Sequence, residues 1–531
     1  MHSRRQGGAR GIAWLLAALL AAGVGPGCGD REPPDPACFR GYLGEEPQSL
    51  DPAFAVDEAA GTLVSLIYPG LFRFDPAGEP QSDLAARWAL EAGERRYRIV
   101  LAPGRRFDDG TPITAPLVRS CFLRLLDPAS PSPRRWVLAR LKGAAAYRDG
   151  LAAGVSGLKA PDDSTLVLEL SAPFAPFLGL LAMPATRVYP QAADGSPARQ
   201  DGLPIAGGPW RLTRWEPGDL LLLERRQPAP PGGMQRLALR IIPQPFTAVA
   251  EYEVGNLDLL RVPLAEADFW LEGERRGQVL RQDELVVSYI GLNVRRAPFD
   301  DRRVRQALNH AIDVEALIRT LRAKAARRAL GPVPPALRSS DPGELFRYRP
   351  ERARELLAEA GYAQGFAMEI WQKENPEVGR LLEAVQAYLA EVGIEARIVV
   401  RDWGAFKDAV NQGSADAFFL DWLADYPDAE NFLVPLFHSR NLGGGGNRAG
   451  FAETYVDILL DELQTMPPGP ARTRLVDRLN ETIYREAPWI WLWHPVALEA
   501  LAPGLSGYRP PLIFNGQDYL ELRRDAALPA S

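Results

Sequence analysis

The sequence predicts an α/β fold. Segments of strand period alternate with segments of helix period along the chain. No internal repeat interrupts them, and three cysteines in 531 residues are too few for a disulfide scaffold, so a hydrophobic core must carry stability. With 46% hydrophobic and 24% charged residues the composition is that of a globular protein. A net charge of -6 argues against nucleic acid or an acidic membrane surface as partner, since both reward a basic face.

Taken in order, the chain begins with Arg4, Arg5 and Arg10, then an apolar run from Ile12 to Val24, then small residues. This is the order of an export signal, expected to span residues 1–27. As a helix the run would rise only about 20 Å, short of a hydrocarbon core of about 30 Å. Cys28 follows Gly27 where the small residues end, in a setting that resembles a bacterial lipobox, although Gly25 and Pro26 depart from the usual Leu-Ala/Ser. Cys28 is therefore the expected lipidation site, with plain signal cleavage and an ordinary or disulfide-bonded Cys28 as the alternative, and the polar, proline-rich residues 28–37 are the expected tether. Cys38 and Cys121 remain, and an oxidising compartment would permit their pairing.

Period-two alternation marks Arg96–Leu101 and Arg236–Ile242 as half-buried strands, with Thr165–Leu170 and Leu220–Arg226 as more buried ones. Prolines and glycines between about Leu101 and Pro209 predict short elements and turns. After Leu285 the texture turns helical. Asp300 or Asp301 caps a predicted helix whose Val304, Ala307, Leu308, Ala311, Ile312, Leu317 and Ile318 share one face. Pro350 and Gly361 bracket a short helix. A helix of about four turns then precedes a strand from Ile394 to Val400, and a last helix stops at Pro488 before an aromatic strand.

Motifs for chemistry are few. The histidines His2, His310, His438 and His494 have no metal-binding spacing, and no cofactor is expected. There is no phosphate-binding Gly-x-x-x-x-Gly-Lys and no Gly-x-Ser-x-Gly elbow. Gly443 to Gly446 lacks the Lys-Ser/Thr that phosphate needs and reads as a flexible connection. His494, between Trp493 and Pro495, reads as a packed or surface histidine.

Asp416 to Phe437 is different. It carries Asp416, Asp421, Asp425, Asp428 and Glu430, interleaved with Phe418, Phe419, Trp422, Tyr426, Phe432 and Phe437. No Lys or Arg falls between Lys407 and Arg440. Acid beside aromatic rings suits an organic cation, because a carboxylate partly shielded from water attracts an ammonium more strongly than an exposed one. From composition alone, a solvated acidic loop whose rings join the core explains the same residues.

Several blocks resemble family 5 of the extracellular solute-binding proteins, the oligopeptide- and dipeptide-binding components of ABC importers. They are Ser49 to Trp88, "YRIVLAPGRRFDDGTPITAPLVRSCFLRLLDP", "GGPWRLTRWEPGDLLLLERR", "GLNVRRAPFDDRRVRQALNHAID", "PERARELLAEAGY" and "DWLADYPDAENFLVPLFHS". Each is loose alone, but they follow the family's order from about Leu43 to Tyr508.

The resemblance implies a two-lobed periplasmic-binding-protein-like fold of type II with an extra small domain and a ligand cleft between lobes. Residues 38–57, 191–285 and 488–531 would form the core of lobe I, 58–190 the extra domain, and 286–487 lobe II. It also implies a guest peptide held extended, its α-ammonium on Asp425. Glu46 matches another cleft acid, Trp422 a wall beside Tyr426, and the strand with Val287 and Tyr289 one that pairs with ligand backbone. Phe419 stands where some relatives carry an arginine for the far carboxylate, so ligand length or chemistry is expected to differ. The expectation is a non-enzymatic, monomeric lipoprotein, periplasmic or at the cell surface and held to the membrane through Cys28. It would hand a peptide or peptide-like solute to ABC permease subunits. Receptors for nickel chelates, opines or sugars share the scaffold, so another cationic or amphipathic solute is the alternative. A secreted hydrolase with dispersed catalytic residues, or an anchored sensor, is a more distant one.

Overall fold

The computed structural model describes residues 35–525 apart from 92, 94, 130 and 131; the export segment and Cys28 lie outside the described residues. The first lobe is built on a four-stranded sheet. Cys38–Leu43 runs parallel to Arg236–Ile241, followed by the antiparallel Leu220–Arg225 and Trp210–Glu216. Leu220–Arg225, expected to be one of the more buried strands, is half-buried: Leu221 and Leu223 are fully buried while Leu220 and Leu222 are only partly covered, because they face the other side of the sheet. A second four-stranded sheet orders Ala85–Glu91, Arg96–Leu101, Thr165–Glu169 and Leu158–Lys159. One unbroken core joins the two sheets, from Phe39 through Tyr97 and Leu168 to Leu239. Cys121 lies in it as a free thiol, its pKa pushed up to about 12 by burial, and Cys38 is free as well.

The second lobe carries a mixed sheet in the order Trp489–Leu501, Val286–Leu292, Ala417–Leu423, Phe366–Lys373, Ile394–Arg401. Its two faces feed separate cores, one holding Val287, Tyr289 and Phe418, the other Ile290, Leu292 and Ala417. Tyr289 stacks on Trp489 with ring centroids 3.5 Å apart. The strand Trp489–Leu501 belongs to both lobes. Its first half pairs with Val286–Leu292, and its second half with Leu259–Arg261 and Val279–Asp283.

Two local expectations give way. The single helix predicted after Asp301 is two, Arg302–Ala311 and Val314–Leu321, because Asp313 accepts from the Ala316 amide and starts a new helix. The glycine run is a tight turn. Gly443 and Gly446 have φ of 67° and 124°, and a Cβ on Gly446 would lie 2.7 Å from the Pro435 carbonyl oxygen. Glycine is needed there for space and conformation. Among the described residues no helix is long and apolar enough to cross a membrane, and no group of side chains could hold a metal ion.

Candidate ligand-binding cleft

A cavity of about 440 Å³ opens between the lobes. Glu58, Arg261, Glu499 and Pro510 to Phe514 of the first lobe face Ser288, Arg322, Asp421 and Leu423 of the second. A neighbouring cavity of about 390 Å³ shares Ser288, Arg322 and Asp421 and extends to Phe419 and Trp493. A third, of about 110 Å³, shares Glu58, Leu423, Ala424 and Phe514 and ends at Arg134 and Asp425. The shared walls make the three one groove, with Asp425 at one end and Phe419 towards the other.

The floor of this groove follows from strand geometry. Val286–Leu292 pairs with Ala417–Leu423 on one side and with Trp489–Trp493 on the other, so both of its edges are taken. Ala417–Leu423 pairs with Phe366–Lys373 only at Ala417 and Phe418. The Ala424 amide donates to Leu285 and the Asn293 amide to Asp416, which sets the antiparallel phase. In that phase the backbone groups of Phe419, Asp421 and Leu423 point away from Val286–Leu292. No strand among the described residues pairs with that edge, and the same three residues line the groove.

Charge is concentrated along it. Asp421 accepts from Ser288 Oγ at 2.5 Å, and Glu499 from the Tyr508 hydroxyl at 2.8 Å. Desolvation by the cleft walls raises the carboxyls of Glu58, Asp421, Asp425 and Glu499 above their ordinary range, although Glu58 and Asp421 stay open to solvent. Arg261 is paired with Glu284. Arg322 makes no ion pair among the described residues, its Nε is buried without a partner, and burial lowers its pKa. It lines both larger cavities.

The residues singled out in sequence separate accordingly. Asp425 and Phe419 reach the groove. Val287 and Tyr289 are buried in the second lobe and Trp422 packs against the same core, because they share the opposite side of their strands from Ser288 and Asp421. Tyr426 crosses over. Its ring is buried in the first lobe's core 6.5 Å from Trp136, and its hydroxyl donates to Glu430. Gln464 Nε2 also donates to Glu430, at 2.7 Å, and the backbone carbonyl of Gln464 accepts from the Ala175 amide. These contacts clamp the lobes together beside the groove. Glu46 accepts from Trp215 Nε1 and the Gly218 amide, both at 2.8 Å, and lines none of the three cavities. Glu58, Arg134, Ser288, Arg261, Arg322 and Glu499 were not foreseen. Only Ser288 carried a local signal, as the lone polar side chain within Val286–Leu292.

The profile of the family described as bacterial extracellular solute-binding proteins, family 5 Middle, matches residues 79–444. The chain is 31% identical over 361 residues to heme-binding protein A of Haemophilus influenzae, covering 65% of this chain and 66% of that protein. It is 29% identical over 480 residues to the glutathione-binding protein GsiB of Escherichia coli (strain K12), covering 88% and 90%. The solved clavulanic acid biosynthesis oligopeptide binding protein 2 superposes with a TM-score of 0.82 at 25% identity, over 92% of this chain and 95% of that one.

Proposed function

Because this chain belongs to family 5 of the bacterial extracellular solute-binding proteins, we propose that it captures a small peptide or peptide-like solute and delivers it to an ABC permease. The protein acts outside the cytoplasm, tethered by lipid on Cys28, and performs no chemistry on its guest.

The observation that carries the peptide reading is the open edge at Phe419, Asp421 and Leu423 beside the groove. An extended guest adds there as one more strand, its main chain supplying affinity irrespective of side chains. Charged groups suit the ends of such a guest. Asp421 and Asp425 offer carboxylates to an ammonium, and Arg322, without an ion pair among the described residues, offers a guanidinium to a carboxylate. Relatives named for glutathione and oligopeptides agree with this class.

The test is calorimetric titration with short peptides and with the same peptides N-methylated at alternate amides. Alternate N-methylation should remove the backbone bonds and weaken binding by about tenfold or more. Equal affinity for both series would remove the strand-addition reading.

A second reading rests on Arg134. With Asp425 already paired to it, the guest's end there need carry no free ammonium, as for a non-peptide amphipathic solute. Mass spectrometry of the solute that co-purifies separates the two readings.

A further inference from the structure

The first lobe contains a second cavity, of about 240 Å³, that shares no lining residue with the groove. Five arginines line it, Arg73, Arg105, Arg187, Arg225 and Arg226, against two carboxylates, Asp83 and Asp518. Three of the five are accounted for. Arg73 lies 2.7 Å from Asp518, and Arg105 lies 3.2 Å from Asp83. Arg226 is held by Asp108 outside the cavity, at 2.7 Å, and by the carbonyls of Arg106, Gly207 and Gly208.

Among the described residues Arg187 and Arg225 have no carboxylate at hydrogen-bond distance. Arg225 Nη1 donates to the Leu520 carbonyl at 3.2 Å. Arg187 is 2% exposed; its Nη1 donates to the Phe72 carbonyl at 3.2 Å and stands 4.0 Å from Asp83, its Nη2 reaches the Ala182 carbonyl at 3.5 Å, and its Nε is buried with no partner among the described residues. A buried guanidinium without a close counter-ion is costly, and convergent forks from several elements match an oxyanion that can accept many bonds at once. Two further lining atoms are buried without partners, Ser65 Oγ and Asn515 Oδ1. The Asn515 amide nitrogen donates to the Ala182 carbonyl at 3.4 Å, so its Oδ1 is the end that needs a donor. Hydrogen phosphate offers both acceptors for the arginines and an O–H for Asn515. Sulfate at neutral pH has no such proton.

We propose that this cavity is a binding site for a phosphate group, separate from the ligand groove. Arg225 and the unpartnered Nε of Arg187 supply the donors, and Asn515 selects a protonated oxygen.

The test is calorimetric titration of the purified chain with inorganic phosphate, against sodium sulfate and sodium chloride at matched ionic strength. One-to-one saturable binding of phosphate, weaker for sulfate and absent for chloride, is the expected result. Arg225→Gln, at a partly exposed position, should lower phosphate affinity about tenfold. Arg211→Gln, on the exposed face of the neighbouring strand, should leave it unchanged. Glycerol phosphate and vesicles containing phosphatidic acid, run in parallel, tell a soluble phosphate from a lipid-borne one. Phosphate heats indistinguishable from chloride, or full affinity in a folded Arg225→Gln, would overturn the proposal. Peptide titrations report on the groove independently, so either result can fail without the other.

Discussion

Arg134 and Asp425 meet across the cleft, with Nη1 of the guanidinium 3.2 Å from a carboxylate oxygen. Arg134 also donates to the Val56 carbonyl at 3.0 Å, so it is fixed from the first lobe while Asp425 belongs to the second. The acid expected to grip a ligand's ammonium therefore has a partner within its own chain. Any incoming cation must displace that partner or share the carboxylate with it.

That competition has a sign. Both side chains are partly exposed, so the pair contributes little, about 1 kcal/mol or less. Arg134→Gln should accordingly strengthen binding of a ligand with a free α-ammonium by up to about fivefold. Asp425→Asn should weaken that ligand far more than its N-acetylated analogue. Calorimetry on the two variants with the two ligands checks both statements, and equal losses for both ligands would remove Asp425 from the site.

Arg322 lines the groove without an ion pair among the described residues. Arg322→Met keeps part of its contact with Trp493, whose ring centroid lies 5.7 Å away, and removes the charge. Affinity for a ligand ending in a carboxylate should fall about tenfold, as for loss of one charge-assisted bond. Affinity for the amidated ligand should hold, and competition binding with the two forms measures the difference.

His494 makes stability depend on pH. It is 1% exposed, its Nδ1 lies 2.9 Å from the Val286 carbonyl oxygen, and burial lowers its pKa from the ordinary 6.5 to about 4. As pH falls from 6.5 towards 4 the unfolded chain takes up this proton and the folded chain does not, so stability is lost. The slope is at most about 1.4 kcal/mol per pH unit. The raised carboxyls of Glu58, Asp421, Glu430 and Glu499 act oppositely: in the span between their ordinary and raised values, stability falls as pH rises. Comparing denaturant midpoints of the natural chain and His494→Gln between pH 4 and 7 isolates the histidine. The natural chain should lose stability relative to the variant as pH falls from 6.5 towards 4.

Cys28→Ser should move the protein from the membrane fraction to the soluble fraction without changing ligand affinity. Cell fractionation followed by titration tests this, and retention in membranes would count against a lipid anchor.

How far the sequence carried the reading depends on the range of the interaction. Strand alternation placed Arg96–Leu101 and Arg236–Ile241, and short apolar runs placed Thr165–Glu169 and Leu220–Arg225, to within a residue or so, because both signals lie in near neighbours along the chain. Helix punctuation did the same for Pro350–Glu359. Asp313 was legible in principle, since an aspartate followed by a new apolar face is a capping signal, but the continuous stripe from Val304 to Ile318 concealed it. The acid-and-aromatic segment was found as a whole and then divided by the sheet. Asp421 and Phe419 turn to the groove, while Trp422 packs with the core.

By itself the sequence determined the alternating elements, the order of blocks that marks the family, and the neighbourhood of the acid at Asp425. Tertiary structure alone decided which carboxylates share the groove and which cation each one meets. Arg134 and Asp425 are 291 positions apart, and no local pattern encodes a contact at that distance. Their meeting follows from two lobes closing on each other, where burial and the nearest opposite charge together set what each group can bind.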